Sequence, residues 1–289
     1  MLIDLHTHSS ESDGSLTPED LAALARREGV AAIALCDHDT TGGLARFAEA
    51  GKKYGVETIP GVEISAAWSN GNCHILGLGL SRPHAPLEEA LKKIRDGRGD
   101  RNMRIIEKLN SLGIDIHVRE VKRMAGGDVI GRPHMARVMH EKGYVQSVQE
   151  AFDKYLAKGA PAYVDRFRLE PPDAVSLLRD AGCVVVLAHP AQLCLDSQGL
   201  NALVAGLIPF GLTGIEAYSP YDGATEEYRA LASQYALAVT GGSDFHGISK
   251  PDLRLGYYGE NTPIPVECLD SLRARMGPAA NRRNERILF

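Results

Sequence analysis

The chain has 289 residues, of which 44% are hydrophobic and 24% charged, and its net charge at pH 7 is −5. This balance is typical of a globular protein with a full core, and it excludes a disordered, collagen-like or coiled-coil chain. No stretch of about 18 apolar residues and no signal peptide is apparent, so we expect a cytoplasmic protein with no membrane association. Five scattered cysteines without a Cys-x-x-Cys pair argue against a disulfide framework or a thiolate zinc site.

Short apolar runs and helix-period segments alternate along most of the chain. Seven runs have the length of a strand: Leu2–Leu5, Ala31–Cys36, Val56–Val62, Ile75–Leu80, Val184–Ala188, Thr213–Ala217 and Leu237–Thr240. Helical patterns with capping residues or a following glycine lie between several of them: Pro18–Glu28, Leu44–Tyr54, Asp173–Ala181 and Thr225–Tyr235. This alternation predicts an α/β fold with a parallel sheet, either open or closed into a barrel.

The alternation breaks between about Pro86 and Phe167, where helix-forming residues dominate and strand-like runs are rare. Between Lys92 and Arg137 the chain has twelve Lys and Arg against six Asp and Glu, so one part of an acidic protein is basic. We therefore predict a helical, basic insertion over residues 86–167, within an α/β domain formed by residues 1–85 and 168–289. The basic tail over residues 278–289 is predicted to be a surface segment.

Histidine and carboxylate residues lie at the ends of five predicted strands. They are Asp4, His6 and His8, then Asp37, His38 and Asp39, then Glu63, His189, Asp244 and His246. Alternate residues of an extended strand point to the same side, and the carboxyl ends of parallel strands form the functional edge of such folds. Any one of these residues alone would be typical of a cap or a turn, but the paired spacing favours a metal site. Imidazole and carboxylate ligands suit Mn, Zn, Fe or Mg, and this many candidate ligands predict several ions that share a bridging carboxylate.

Together these motifs resemble those of the PHP superfamily, the polymerase and histidinol phosphatase domain. The motifs are Asp4-x-His6-x-His8, Ser12-Asp13-Gly14, Asp37-His38-Asp39, Gly61-Val62-Glu63, His189-Pro190 and Gly242-Ser243-Asp244-Phe245-His246. The resemblance implies a distorted (β/α)7 barrel with a trinuclear metal centre. It implies one ion held by His6, His8, Glu63 and Asp244, a second held by Glu63, His74 and His189, and a third held by Asp13, His38 and His246. Position alone would make His74 a core or turn histidine, because it precedes a strand, and some superfamily members have His where Asp13 stands.

More narrowly, the chain resembles the branch of this superfamily that hydrolyses the 3'-phosphate of nucleoside 3',5'-bisphosphates, whose relatives also trim short RNA from the 5' end. This resemblance rests on the helical insertion and on Gly131-Arg132-Pro133-His134, Lys158-Gly159-x-Pro161-Ala162-Tyr163 and Tyr218-Ser219-Pro220. It implies a hydrolase that releases phosphate and a nucleoside 5'-monophosphate. It also implies three divalent ions, with Mn favoured over Zn, Fe or Mg, and no protein partner is evident.

The second phosphate of such a substrate needs protein donors, and arginine offers a planar fork that fits phosphate oxygens in pairs. The candidate substrate-binding residues are Arg98, Arg101, Asn102, Arg132, His134 and Lys158. Gly97 and Gly99 are poor helix formers and predict a bend or loop where backbone N–H groups approach a phosphate.

For the reaction we expect a hydroxide that bridges metal ions near Glu63 to attack phosphorus, with His189 or His246 donating a proton to the leaving oxygen. Asp4, Asp37 and Asp39 are predicted to orient the metal-bound histidines. Two alternatives stay open: a small-metabolite phosphatase of the histidinol phosphate type, and a non-catalytic module that binds metal or nucleotide. The basic insertion disfavours the first, and the complete ligand set disfavours the second.

Overall fold

The computed structural model describes residues 1–125, 130–221 and 223–276. The chain divides into two units, Met1–Leu91 with Arg168–Phe289 (unit 1) and Lys92–Phe167 (unit 2). The first boundary of the structure lies at 91/92, where the sequence placed it at 85/86, and the second lies at 167/168 in both. The predicted basic tail over residues 278–289 lies outside the described residues. None of the helices in the described part of the chain has the length and apolar composition of a membrane span.

Unit 1 is built on a seven-stranded sheet whose strands are neighbours in chain order. The strands are β1 (Leu2–Thr7), β2 (Val30–Leu35), β3 (Glu57–Ala66), β4 (Cys73–Leu78), β5 (Val184–Leu187), β6 (Gly214–Tyr218) and β7 (Ala238–Gly241). A short hairpin of β8 (Tyr257–Gly259) and β9 (Thr262–Pro263) follows. A bridge between Thr7 and Phe245 joins the segment after β7 to β1, which is a contact that a closed barrel requires. The predicted α/β class is confirmed, and full closure of the barrel stays a prediction.

The direction of β4 differs from the predicted parallel sheet. β4 is antiparallel to both β3 and β5, whereas the other neighbouring pairs of the sheet are parallel. Only residues 67–72 connect β3 to β4, and a parallel crossover needs about a dozen residues or more. Gly71 adopts a left-handed φ of 88° in this connection, as a tight turn between antiparallel strands demands.

The α-helices of the described residues lie between the strands, within unit 2 or, in one case, after the last strand. They are α1 (Pro18–Glu28), α2 (Leu44–Tyr54), α3 (Ala85–Ser111), α4 (Val118–Ala125), α5 (Arg132–Glu141), α6 (Val148–Ala151), α7 (Pro171–Asp180), α8 (Ser197–Leu207), α9 (Thr225–Gln234) and α10 (Glu267–Arg273). The predicted bounds of α1 and α2 are confirmed. Thr17 accepts a hydrogen bond from the backbone N–H of Asp20 at the start of α1, and Gly29 ends the helix with a φ of 76°.

The strands of the seven-stranded sheet are largely buried on both faces, and the two faces of β1 differ in chemistry. Ile3 and Leu5 of β1 are fully buried and belong to an apolar cluster that also contains Leu76 of β4 and Val186 of β5. The alternate residues of β1, Asp4 and His6, are also fully buried. One face of β1 therefore stabilises the fold, and the other carries polar groups that need partners.

Unit 2 has its own apolar core of buried residues from its helices and the segments between them. The cluster includes Ile105, Leu109, Ile116, Val121, Met135, Met139 and Leu156. The predicted bend or loop at Gly97 and Gly99 is wrong, because α3 continues as a helix through both positions. At Gly97 the missing side chain makes room for Phe167, whose Cβ would lie 3.3 Å from a Cβ at that position. A π-helix over Phe152–Leu156 follows α6.

Candidate metal centre

The nine predicted ligands of unit 1 lie at one edge of its sheet. His6 is in β1, Glu63 is in β3, and His74 is the second residue of β4, where it pairs with Ser65. The others lie in connections: His8, Asp13, His38, His189, Asp244 and His246. Because β4 is antiparallel, its first residues lie at the edge where its neighbours end, which is how His74 reaches the cluster from the start of a strand.

The carboxylate of Glu63 lies at the centre of the cluster and is fully buried. Its Oε1 is 2.9 Å from Nδ1 of His74 and 3.0 Å from Nε2 of His189. Its Oε2 is 2.9 Å from Nδ1 of His38, 3.2 Å from Nε2 of His8 and 3.3 Å from Nε2 of His6. Each oxygen of one carboxylate thus faces a different set of imidazoles, which is the arrangement of a bridging ligand.

The ligand atoms form three overlapping groups in which all atoms lie within 4.8 Å of one another. The groups are His6, His8, Glu63 and Asp244; His38, Glu63 and His74; and His8, Asp13, His38 and His246. The first is the ligand set that the resemblance implies for one ion, and the third contains the implied set of another. In the second group His38 stands where His189 was expected, although His189 contacts both Glu63 and, at 3.3 Å, Nδ1 of His74. The structure brings all nine residues together, and their role as ligands stays a prediction.

The carboxylates of the cluster keep their negative charge despite burial. Burial raises the pKa of Glu63, but the imidazoles of His38, His74 and His6 outweigh it and hold the pKa well below its usual range. Burial lowers the pKa of His8, but the Asp244 and Glu63 carboxylates overcome it and raise the pKa to about 9. Burial dominates at His74 and lowers its pKa to about 4. The buried carboxylate of Glu63 therefore depends on positive charge beside it to stay ionised, and a bound cation would supply such charge.

The donor set and its unsatisfied atoms fit divalent metal ions. Nε2 of His6 and Nε2 of His8 lie 3.1 Å apart. Oε2 of Glu63 and Nε2 of His246 are buried without a hydrogen-bond partner. Buried polar atoms are almost always paired, and a cation bound among them satisfies several at once. Nitrogen and oxygen ligands without thiolate are the donors that divalent ions such as Mn and Zn accept.

Glu216 of β6 is a buried residue of this site that the sequence reasoning missed. Its Oε1 is 3.1 Å from Nδ1 of His6, and its Oε2 accepts the backbone N–H of His189 at 2.8 Å. A proton on Nδ1 of His6 leaves Nε2 with its lone pair toward the cluster, so Glu216 sets the tautomer that a metal needs. The available signal was one charged residue inside an otherwise apolar strand, Gly214–Tyr218.

The three aspartates predicted to orient histidines accept hydrogen bonds mainly from backbone N–H groups and serine hydroxyls. Asp4 accepts hydrogen bonds from the backbone N–H of Ser243 at 3.0 Å, the Ser243 hydroxyl at 2.6 Å and the backbone N–H of Gly256 at 2.7 Å. Asp37 accepts from the backbone and hydroxyl of Ser9 and from the hydroxyl of Ser12. Burial raises the pKa of Asp4 to about 6 against these hydrogen bonds.

Asp39 accepts from the backbone and hydroxyl of Ser65. These contacts fix the backbone that carries the ligands, and the orientation of metal-bound histidines by the three aspartates stays a prediction.

The backbone at this edge is strained at three positions. Asp39, His189 and Asp244 have positive φ values of 57°, 25° and 51°. Such conformations of residues other than glycine cost roughly 1–3 kcal/mol each and persist only where the surroundings enforce them. At Gly242 a side chain would collide with His6, so this glycine allows the end of β7 to approach β1. Strain and close packing therefore concentrate where the predicted ligands converge.

The predicted substrate-binding residues all belong to unit 2, and several have local partners there. Arg101 and Asn102 are buried, and Asn102 accepts from Arg101 at 2.6 Å and donates to the carbonyl of Ile130 at 2.8 Å. His134 accepts the backbone N–H of Gly131 at 3.1 Å.

The other three predicted residues differ in exposure. Arg132 donates to the carbonyl of Leu156, Arg98 is half-buried and Lys158 is exposed. Substrate binding by these six residues stays a prediction.

Comparison with known proteins gives consistent relatives. A family model described as "PHP domain" matches residues 4–165. The chain is 34% identical over 277 residues to a 3',5'-nucleoside bisphosphate phosphatase from Chromobacterium violaceum, covering 95% of this chain and 97% of that one. It is 35% identical over 250 residues to the 5'-3' exoribonuclease Rnm from Escherichia coli, covering 85% of each. A solved structure from Bifidobacterium adolescentis, assigned as a metal-dependent phosphoesterase, is similar with a TM-score of 0.81 and 27% identity, covering 97% of this chain and 98% of that one.

Proposed function

This chain belongs to the PHP domain family, and from that premise we propose that it is a phosphoesterase that removes the 3'-phosphate of nucleoside 3',5'-bisphosphates. The products would be phosphate and a nucleoside 5'-monophosphate. Trimming of short 5'-phosphorylated RNA from the 5' end is the second activity we propose, because relatives named for both activities resemble most of the chain. The observation that carries the chemistry is the Glu63-centred cluster of imidazoles and carboxylates.

We propose that three divalent ions, with Mn favoured, bind at this cluster. His6, His8, Glu63 and Asp244 would hold one ion, and Glu63 would share a second with His74 and His189. Asp13, His38 and His246 would hold the third. The chemistry that bound ions would supply here is neutralisation of the phosphate dianion and a lower pKa, toward about 7, for a water that they hold. The two faces of the Glu63 carboxylate support this arrangement, because each oxygen contacts a different group of imidazoles.

The chain's own residues supply orientation and a proton. Glu216 holds His6 in one tautomer and fixes the backbone of His189. Nδ1 of His246 is 2.6 Å from the carbonyl oxygen of Asp244, and its Nε2 faces Oδ1 of Asp13 at 3.2 Å. An imidazole whose cluster-facing nitrogen carries a proton can give it to a leaving ribose oxygen, and His246 and His189 are our candidates for this step.

Recognition of the second phosphate is the part of the proposal that rests on the sequence. The segment from Lys92 to Arg137 has a net balance of +6, with twelve basic against six acidic residues. A substrate with two phosphates needs more cationic donors than one with a single phosphate, which favours a nucleotide over histidinol phosphate. We propose the six basic or polar residues of unit 2 named above as these donors.

The test is phosphate release by Mn-loaded protein from adenosine 3',5'-bisphosphate, with histidinol phosphate and a 5'-phosphorylated RNA oligomer alongside. We expect release from the bisphosphate with formation of adenosine 5'-monophosphate. His6→Ala should lower turnover by more than about 100-fold. Loss of a residue that only supports a metal ligand costs up to about 100-fold, and His6 is itself a proposed ligand. His117→Ala is the matched control, because His117 is an exposed histidine of unit 2 whose ring faces Asp115.

Equal turnover in the wild type and His6→Ala would contradict the metal-centred chemistry. Faster release from histidinol phosphate than from the bisphosphate would contradict the proposed substrate class and support the small-metabolite alternative.

A further inference from the structure

Asp244 is held differently from the other carboxylates of the metal centre. Its Oδ1 faces the cluster, 3.0 Å from Nε2 of His8 and 3.6 Å from Nε2 of His6. Its Oδ2 turns the other way, where it accepts hydrogen bonds from the Tyr221 hydroxyl and, at 2.6 Å, from Nζ of Lys250. The two oxygens of the Asp244 carboxylate therefore contact different groups.

Tyr221, Lys250 and Oδ2 of Asp244 form a closed triangle. Nζ of Lys250 is 2.9 Å from the Tyr221 hydroxyl, so this hydroxyl accepts from Lys250 while it donates to Asp244. The Tyr221 ring also lies edge-on to His189, with 5.6 Å between ring centroids. Both side chains are thus fixed by at least two contacts in unit 1, and neither Tyr nor Lys belongs to the predicted ligand set.

We propose that Tyr221 and Lys250 are positioning residues that restrict Asp244 to one metal-ligating oxygen. A carboxylate with two free oxygens can chelate one ion or bridge two. Two donors on Oδ2 occupy that oxygen and leave Oδ1 as the only atom available on the inner side. Glu63, by contrast, has imidazoles at both oxygens and remains the bridging carboxylate. The triangle would therefore keep Asp244 a terminal ligand rather than a second bridging carboxylate.

The charge of Lys250 adds to this effect. Lys250 follows the turn Gly247–Ser249, directly after His246, and its side chain is 38% exposed. A charge-assisted bond from an ammonium to a carboxylate is about twice as strong as a neutral hydrogen bond. Lys250 is therefore the stronger of the two donors, and the Tyr221 hydroxyl is the more directional one. Loss of either leaves Oδ2 partly free, and loss of both leaves it free to turn toward the metals.

The experiment titrates metal-free protein with Mn²⁺ and follows bound ions by electron paramagnetic resonance. The variants are Tyr221→Phe, Lys250→Met, the double variant and Lys250→Arg. We expect the dissociation constant of one ion to rise by about 10-fold in each single Tyr221→Phe or Lys250→Met variant, and by up to about 100-fold in the double variant. Lys250→Arg should restore most of the affinity, because a guanidinium also donates to Oδ2. The melting temperature of the metal-free protein is measured beside it, and each single variant should lower it by only a few degrees, because Oδ2 of Asp244 keeps one of its two donors.

Lys53→Met is the matched control, because Lys53 lies over the Tyr54 ring, 5.0 Å from its centroid, and has no carboxylate of the cluster as partner. It should leave Mn²⁺ binding unchanged. Unchanged dissociation constants in the double variant would overturn the positioning role while leaving the proposed function intact. A wild-type protein that binds no Mn²⁺ would overturn the metal centre itself, so the two failures are distinguishable.

Discussion

The two units of the molecule use polar residues in opposite ways. In unit 1 the polar residues at the strand ends point at one another, and atoms such as Oε2 of Glu63 and Nε2 of His246 are buried without hydrogen-bond partners. In unit 2 the buried Asn102 and the half-buried His134 satisfy nearby backbone groups, those of Ile130 and Gly131. A buried polar group without a partner is costly, and one that completes a helix end is stabilising.

This difference separates a site from a scaffold. A bound ion would satisfy the unpaired atoms of unit 1. The polar side chains of unit 2 already hydrogen-bond to backbone groups of the same unit, so no ligand is needed to account for them. Basic residues in a helical segment are therefore weaker indicators of a binding site than alternating residues at strand ends. Each of the following substitutions tests one side of this comparison.

Glu216→Gln should have the largest effect among them. Glu216 uses one oxygen for Nδ1 of His6 and the other for the backbone N–H of His189. Glutamine has one acceptor oxygen, so its NH₂ group must face a donor. We expect metal affinity to fall by about 10–100-fold, measured by Mn²⁺ titration of the metal-free protein.

The control for this substitution is Glu57→Gln. Glu57 begins β3 and pairs with Arg273 at 2.6 Å, and it takes no part in the cluster. This variant should keep wild-type metal affinity. Wild-type affinity in Glu216→Gln as well would show that Glu216 is a structural residue only, and that the tautomer of His6 is set in another way.

Arg132→Lys tests the scaffold side of the comparison. The guanidinium of Arg132 lies 5.9 Å from the Phe152 ring centroid and 5.6 Å from that of Tyr163, and it donates to the carbonyl of Leu156 at 3.0 Å. A lysine has no planar group to stack on two rings. We expect the free energy of unfolding in urea to fall by roughly 1–2 kcal/mol, with metal affinity unchanged.

Arg137→Lys is the matched control, since Arg137 is exposed on the same helix, and it should change stability by less than about 0.5 kcal/mol. A raised KM for the bisphosphate in Arg132→Lys would support the proposed contact of Arg132 with substrate, and an unchanged KM together with the loss of stability would restrict Arg132 to a structural role.

Much of the fold and the site could be predicted because the signals are local. The caps Thr17 and Gly29 gave the bounds of α1, and the alternation of Asp4, His6 and His8 showed which side of β1 is polar. Each of these signals lies within a few residues of the feature it predicts.

The missed features depend on partners that are distant in sequence. Glu216 is defined by His6 and His189, which approach it only when β6 joins the sheet. His74 enters the site because β4 runs antiparallel, and the predicted strands, which end at Val62 and begin again at Ile75, concealed how short the connection between β3 and β4 is. A glycine stands at position 97 because Phe167, at the end of unit 2, packs against it. Tertiary contacts of this kind override local propensity, and one sequence does not display them.

Gly97→Ala and Gly99→Ala should change stability least among these substitutions. They test whether this part of α3 has only a structural role or also approaches the substrate. Both positions are helical, and alanine in a helix interior is more stable than glycine by roughly 0.5–1 kcal/mol. A Cβ at Gly99 meets nothing within 4 Å, so Gly99→Ala should gain this amount in urea unfolding. A Cβ at Gly97 would lie 3.3 Å from Cβ of Phe167, so Gly97→Ala should gain less than half as much. Reduced phosphate release in Gly99→Ala with a normal gain in stability would show that the backbone there approaches the substrate. The added methyl group contacts no other part of the protein, so a loss of activity would come from a clash with the substrate.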